Sequence, residues 1–421
     1  MRKDGLAIWG PVGLIALAVF FGAVMAYGTH PGWIREPYGL TVIMISRRMQ
    51  WGMVAMSLLA CVSLIALVIA GRRRAWWLIG LAPVLALFGH RFTSNEVGRF
   101  TVVDEPKLVA VEDVRNVGEN DLVVGLTLGD NYYAYPYAQL YWTPVIVQTD
   151  RDQRVLLAWN AYANACLATM VTRDVRAREL DVVCEPANAL LIYNSRVGQF
   201  INGVTGRMPG GAKPQNFLNR VPVWKGPWKA WRDAHPATKV YAGVGKIGGP
   251  TAAILPREPL AKTGDVKPQT PVVLIAARNP AAILPAEIST TPSNVRVQDL
   301  PLLVFRDPSG FVRAYDRHVE PDLVSQFTMN KDPKRKATFI DIDTNTGWTI
   351  NGVAIDGEKP RLGQKLSPLD VQEELYWGVA KFWWPDAELI KGEGEPVQTP
   401  EMKKNAATSE AKRTTSRRRR R

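Results

Sequence analysis

Two stretches decide how this chain is read: Asn194-Ser195-Arg196-Val197-Gly198-Gln199-Phe200-Ile201-Asn202-Gly203-Val204 and Asp343-Thr344-Asn345-Thr346-Gly347-Trp348-Thr349-Ile350-Asn351-Gly352-Val353. Each runs from a polar cluster through a glycine and apolar or aromatic residues into Ile-Asn-Gly-Val, and the second follows the first at an offset of 149 positions. The same offset carries Trp228 onto Trp377 and Pro236 onto Pro385, and agreement at one spacing over seven positions predicts an internal duplication. Polar-polar-x-x-Gly reads as a tight turn whose glycine is available for φ > 0, and Asn202-Gly203 and Asn351-Gly352 read as a second turn signal in each copy. Trp228 and Trp377 open segments that read as short helices ended before proline, each Trp packed on a sheet. Trp228, Trp377, Gly203 and Gly352 are therefore the expected structural residues.

Working outward, short β-rich runs at 122–128, 155–159, 190–193, 272–275 and 302–305 alternate with Gly, Pro, Asn and Asp clusters. The expected fold class is α+β, mostly antiparallel β with a few helices, internally duplicated and preceded by an N-terminal transmembrane helical anchor. Glycines and prolines between 243 and 271 mark a linker. The predicted organisation is a membrane anchor over 1–95, β-rich repeat 1 over 96–245, a linker over 246–269, β-rich repeat 2 over 270–391 and a disordered basic tail over 392–421. The tail ends in five arginines and suits an anionic lipid surface or an acidic partner.

Apolar runs define the anchor. Residues 5–28 are 24 uncharged positions and residues 52–70 are 19, each long enough for a bilayer core of about 30 Å. A third run, 75–89, has only 15 positions and contains Pro83. A cleaved signal peptide is the competing reading of the first run, but no small-x-small site follows it. Arg2 and Lys3, and Arg72, Arg73 and Arg74, would stay cytoplasmic, which sends the domain after a third crossing to the outside. Arg35, Arg47 and Arg48 would then lie in an outer loop, against the rule, whereas Trp76 and Trp77 beside the arginines favour a real third span. If that run lay only in the interface, the domain would be cytoplasmic.

Charge and cysteine content exclude other classes. The net charge of +13 over 421 residues belongs to the two ends, since the body between 96 and 390 carries 33 charges of each sign. A nucleic-acid-binding fold would concentrate its cations on that body, so no nucleic-acid partner is expected. Three cysteines exclude a disulfide framework and a four-cysteine metal site. His30, His90, His235 and His318 show no ligand spacing. Asp341 and Asp343 alternate in a strand and would share one face, as calcium ligands or a carboxylate pair would, but with Asp343 in a turn they read better as solvated turn carboxylates. No phosphate loop or nucleophile elbow is present, and no cofactor or metal is expected. Cys61 falls in an apolar span. Cys166 and Cys184 could form a structural disulfide in an oxidising compartment or be two buried thiols.

The run 123–142 with Asn131-Tyr132-Tyr133-Ala134-Tyr135-Pro136, the turn Tyr193 to Phe200 and the segment from Trp228 to Tyr241 together resemble the bacterial family called domain of unknown function 3179. The resemblance covers roughly 100–390 and implies an exported or membrane-anchored protein. It also implies a His soon after the Tyr-Pro strand and a Tyr-Cys-Pro-x-Cys segment, the place for thiol redox or metal chemistry. Here Thr143 stands where that His belongs, and the segment reads Tyr162-Ala163-Asn164-Ala165-Cys166, with only the second cysteine. One thiol cannot form the vicinal disulfide of two-electron exchange. The sequence therefore predicts a non-catalytic, membrane-anchored extracytoplasmic structural or interaction protein, a subunit of a membrane-associated assembly in the bacterial inner membrane. The alternative is a periplasmic oxidoreductase-like or ligand-binding protein with a cleft near Cys166, Tyr162 and Tyr135, Cys166 being its candidate catalytic residue. A glycan- or peptidoglycan-binding module is a third reading, resting on exposed aromatics.

Overall fold

A computed structural model describes residues 3–70, 75–93, 100–209, 211–245, 248–257, 260–320, 323–357 and 361–390. The arginines at 72–74 and the basic tail from 392 lie outside these residues. The fold is mixed α+β, with mostly antiparallel sheets and seven α-helices among the described residues.

Helices α1 (Lys3–Tyr27) and α3 (Gln50–Ala70) are long and apolar enough to cross a membrane, over Trp9–Tyr27 and Gln50–Ala70. Between them lies α2 (Gly39–Arg48), and after them a 3-10 helix, Ala75–Leu81, runs into α4 (Ala82–Thr93). Pro83 therefore does not interrupt a helix. It stands in the first turn of α4, where a missing N–H loses no bond. Small residues hold these helices together: Ala18, Ala60 and Val84 share a buried cluster, and Ser57 Oγ donates to Ala18 O at 3.0 Å. Met25, Leu64 and Val68 are buried as well, while other large apolar side chains point outward, with Phe20 59%, Val62 61% and Ile69 74% exposed.

The chain divides into two compact units. Unit 1 is 1–123, 128–221 and 237–259; unit 2 is 124–127, 222–236 and the chain from 260 onward. This differs from a division into 96–245 and 270–391, because the segment that carries Trp228 belongs to the second unit. The stretch 246–269 also departs from a free linker. Within unit 1, Leu122 N donates to Thr251 O, and Gly249 lies so close to Ala138 that an added Cβ would stand 2.0 Å from its carbonyl oxygen. Within unit 2, Ala261 N donates to Gly378 O and Gly378 N to Pro268 O.

In unit 1, β1 (Asn131–Pro136) leads into α5 (Tyr137–Leu140). Strands β2 (Val145–Asp150), β3 (Gln153–Asn160) and β4 (Ala165–Val171) form an antiparallel meander, and β5 (Leu180–Cys184), β6 (Leu191–Asn194) and β7 (Gln199–Asn202) form another. Alternation places Val147, Leu156, Ala158 and Leu167 on one face, where they share a core with Val182, Ile192 and Ile201. The β6–β7 corner uses Gly198 at φ +66°, as its turn signal predicts. Strand β8 (Lys239–Tyr241) pairs parallel with β1.

Unit 2 includes α6 (Trp228–Ala234). Strands β9 (Pro271–Ala276) and β10 (Ala281–Ile283) are antiparallel, followed by the meander β11 (Ser293–Val297), β12 (Leu300–Arg306) and β13 (Val312–Asp316). Strand β14 (Asp370–Tyr376) pairs antiparallel with β9 and feeds α7 (Trp377–Trp383), after which β15 (Glu388–Leu389) pairs parallel with β10. Phe305, Phe327, Phe339 and Trp348 build one core and Val273, Ile275, Leu302 and Val304 another. Trp228 and Trp377 are buried, 3% and 4% exposed.

The two Ile-Asn-Gly-Val copies take different turns. In unit 1, Asn202 Oδ1 accepts from Val204 N and Thr205 N, and the left-handed corner is Gly206, not Gly203. Gly203 is required by crowding: an added Cβ would stand 2.8 Å from Asn160 Oδ1 and 3.0 Å from Leu190 Cβ. In unit 2, Gly352 itself is the corner at φ +70°. Nor does Gly347 take the φ > 0 expected of it. Asn345 does, at φ +55°, and Gly347 makes room for the Asp356 carboxylate and Ala337.

Candidate functional site

Of the side chains singled out in the sequence, Tyr135 and Cys166 come together on the second face of β2–β3–β4. Trp159 on β3 and Cys166 on β4 are register partners, opposite in facing to Ala158 and Leu167 of the core. Against this face lie the aromatics of β1 and α5. Tyr135 OH donates to Gln148 Oε1, and the Tyr137 ring sits 4.6 Å from that of Trp159. Tyr137 OH donates to Asn164 Oδ1 at 3.0 Å, and Asn164 takes the left-handed conformation, φ 47°, that turns the chain into β4. Alternating strand positions Tyr133 and Tyr135 are thus buried together because both point into this layer.

Burial pushes the Tyr135 phenol well above its ordinary value. Tyr133 rises to about 12, first from burial and then from the Asp150 carboxylate. Tyr162 is also raised, by burial and by its hydrogen bond with Tyr141, against the opposing charge of Arg257. The Arg257 guanidinium lies 3.9 Å from the Tyr162 ring centroid and donates to its hydroxyl. All three phenols are therefore neutral hydrogen-bonding groups near pH 7 and none is poised as a base. Thr143, where the resemblance implies a histidine, accepts from Tyr241 OH at 3.0 Å and donates to Gln139 O at 2.9 Å. It ties α5 to β8.

The cysteine pair is not bridged. Cys166 lies in the layer just described, while Cys184 sits at the end of β5 among Ile43, Val183, Leu191 and Phe200. Different sheets hold the two thiols, and burial pushes the Cys184 thiol up, so it stays protonated. Asp341 is not solvated either: it is fully buried and accepts from Ser325 Oγ, Thr344 Oγ1 and Asp343 N. Asp343 accepts from Gln326 N. Both carboxylates serve the turn. The histidines stand apart: His30 Nδ1 accepts from Gly32 N, His90 lies on Tyr27, His235 on Trp231, and His318 pairs with Asp316. Among the described residues, no three His, Cys, Asp or Glu side chains group as metal ligands would.

Two features escaped the sequence reading. Asn160, fully buried, donates to Gly203 O at 2.7 Å and accepts from Leu190 N at 2.6 Å. Its only sequence signal is an asparagine closing an apolar strand. Arg47 and Arg48, read as loop charges, are bound to β5 and the β6–β7 turn. Nothing but their place at the end of a short apolar helix could have marked them.

A mixed α+β body of mostly antiparallel sheets, preceded by two long apolar helices, is the class this fold defines. The chain belongs to the family described as protein of unknown function (DUF3179), which matches residues 100–387. Searches of curated proteins and of solved structures gave no match.

Proposed function

We propose that the protein is a non-catalytic, membrane-anchored structural or interaction subunit whose β-rich body lies on the extracytoplasmic side of a bacterial inner membrane. The observation that carries the anchor is the outward display of large apolar side chains on α1 and α3 around a seam of Ala18, Ser57 and Ala60. Orientation rests on the arginines at 72–74 and on Arg2 and Lys3, which favour the cytoplasmic face. The non-catalytic reading is supported by the commitment of Thr143, Tyr162 and Asn164 to hydrogen bonds inside the body. Its partners on this reading are the bilayer, a protein of the same membrane, and anionic lipid or an acidic surface for the Arg-rich tail.

Internal duplication belongs to the same proposal. The strand after the Trp228 helix pairs parallel with β1, and the strand after the Trp377 helix pairs parallel with β10, each the strand that precedes a three-stranded antiparallel meander. Purification from native membranes in mild detergent, with identification of what accompanies the protein, tests the subunit reading; a protein that always isolates alone counts against it. One observation favours ligand binding as a second reading: Trp159 Nε1, buried beside Cys166, has no acceptor among protein groups. Fast alkylation of native Cys166 at neutral pH would favour it over an inert body.

A further inference from the structure

The connection between α1 and α3, residues 28–49, lies on the β body of unit 1. Ile43 of α2 is fully buried among Val183, Cys184, Leu191 and Phe200, with Leu40 and Met44 beside it. These positions recur at helical spacing, so one face of α2 covers the sheet of β5, β6 and β7. Its basic end is fastened as well. Arg47 donates through Nε and Nη2 to Asp181 Oδ2, at 3.1 and 2.6 Å, and lies over the Tyr193 ring. Arg48 donates to Gly198 O at 2.8 Å and lies over Phe200.

Connectivity then restricts the path. If α1 and α3 cross, as proposed above, residues 28–49 are on the face opposite the N-terminus and α3 brings the chain back. The body, which begins at residue 100, touches α2 and so lies on that opposite face. The chain must return to it between 70 and 100. Seven residues of 3-10 helix at about 2.0 Å and twelve of α-helix at about 1.5 Å extend about 32 Å, enough for a hydrocarbon core of about 30 Å. As α-helix throughout, the same nineteen residues would extend about 28 Å, so the 3-10 segment adds about 3.5 Å to the span. Contacts at the ends agree. His90 near the end of α4 meets Tyr27 at the end of α1, ring centroids 4.8 Å apart, and Arg91 is close enough to Arg47 and Asp181 to feel both charges.

We infer that residues 75–93 form a third crossing and that α2 seats the β body of unit 1 on the bilayer face reached by the α1–α3 connection. The surface has a stated partner, the lipid headgroup layer. Tyr38 (79% exposed) and Trp51 (75%) flank α2, and the exposed Val197 at the β6–β7 corner adjoins the Gly198 carbonyl held by Arg48. This also accounts for arginines on the outer face: Arg47 and Arg48 are bound by the body there.

The inference rests on the proposed anchor, and the experiment separates the two. In membrane vesicles of known sidedness, full-length Tyr38→Cys and Ser195→Cys should react with an impermeant maleimide from the same face, and Arg73→Cys only after permeabilisation. A photo-crosslinker at Met44 should join α2 to the peptide containing 180–200. Release of the wild-type protein by alkaline carbonate would overturn the anchor itself. Retention in the membrane with positions 38 and 195 on opposite faces, or with no crosslink from position 44, would overturn the seating alone.

Discussion

Replacing Gly203 by alanine tests whether crowding against Asn160, rather than turn geometry, fixes this glycine. Asn160 holds two buried backbone groups, the Gly203 carbonyl at 2.7 Å and the Leu190 N–H at 2.6 Å. Asn160→Ala leaves both without partners, and at about 1–3 kcal/mol for each buried unsatisfied group the cost is about 2–6 kcal/mol. In Gly203→Ala the new methyl would stand 2.8 Å from Asn160 Oδ1 and 3.2 Å from Nδ2, so it must push the same amide away. Because Gly203 has no positive φ, alanine adds no backbone strain, and the expected loss again comes to about 2–6 kcal/mol. With the amide already gone, the methyl has room apart from Leu190 Cβ at 3.0 Å. The double variant should therefore lose less than the sum, with a coupling that approaches the Gly203→Ala loss itself, about 2 kcal/mol or more. Urea unfolding of the full-length protein in mild detergent, followed by tryptophan fluorescence, closes the cycle. Losses that add to within about 0.5 kcal/mol would refute the steric argument.

Trp228→Ala and Trp377→Ala should each destabilise by about 3–5 kcal/mol, read as a shift of the urea midpoint. Gly125→Ala should impair folding of unit 2, because its methyl would stand 2.3 Å from the Trp231 ring; a soluble, equally stable variant would contradict that packing. Burial holds His235 below the ordinary imidazole value, so the unfolded chain binds more protons as pH falls through about 6.5. Stability should drop over that acid window, and His235→Gln should flatten the slope of melting temperature against pH. Cys184 should resist alkylation in the native protein and react after unfolding, as its burial and raised thiol require.

What the sequence displayed depended on whether a side chain's role was local. Trp228 and Trp377 were legible because a large aromatic at the head of a short helix has little to do but fill a core. Gly198 was legible because its turn needs nothing beyond five residues. Gly203 was read as necessary for the wrong reason, since the constraint comes from Asn160, 43 positions earlier, through a contact only the fold creates. Asp341 was misread in the same way. The turn at Asp343 implied solvated carboxylates, but Ser325 and Thr344 enclose Asp341. Helix α2 stayed hidden because ten residues between two apolar runs carry no periodic signal strong enough to reveal which surface they cover.

The position of Thr143 gives the non-catalytic proposal its sharpest physical content. Where the resemblance implies a side chain able to carry a proton, this chain has a hydroxyl engaged on both sides, accepting from Tyr241 and donating to Gln139. Tyr162 is held by Arg257 from above its ring and through its hydroxyl, and Asn164 bends the chain while receiving the Tyr137 hydroxyl. Such groups act as struts between elements distant in sequence, and each is removable only at the expense of the joint it makes. Thr143→Val should then lower stability by about 1–3 kcal/mol, the usual loss when a buried hydroxyl leaves its partner unsatisfied. On the proposed reading it should leave membrane retention and the set of co-purifying proteins unchanged, because those depend on α1, α3 and the outer surface. A Thr143→Val protein as stable as the wild type that loses its partners would reverse the assignment, placing function in this layer and structure elsewhere.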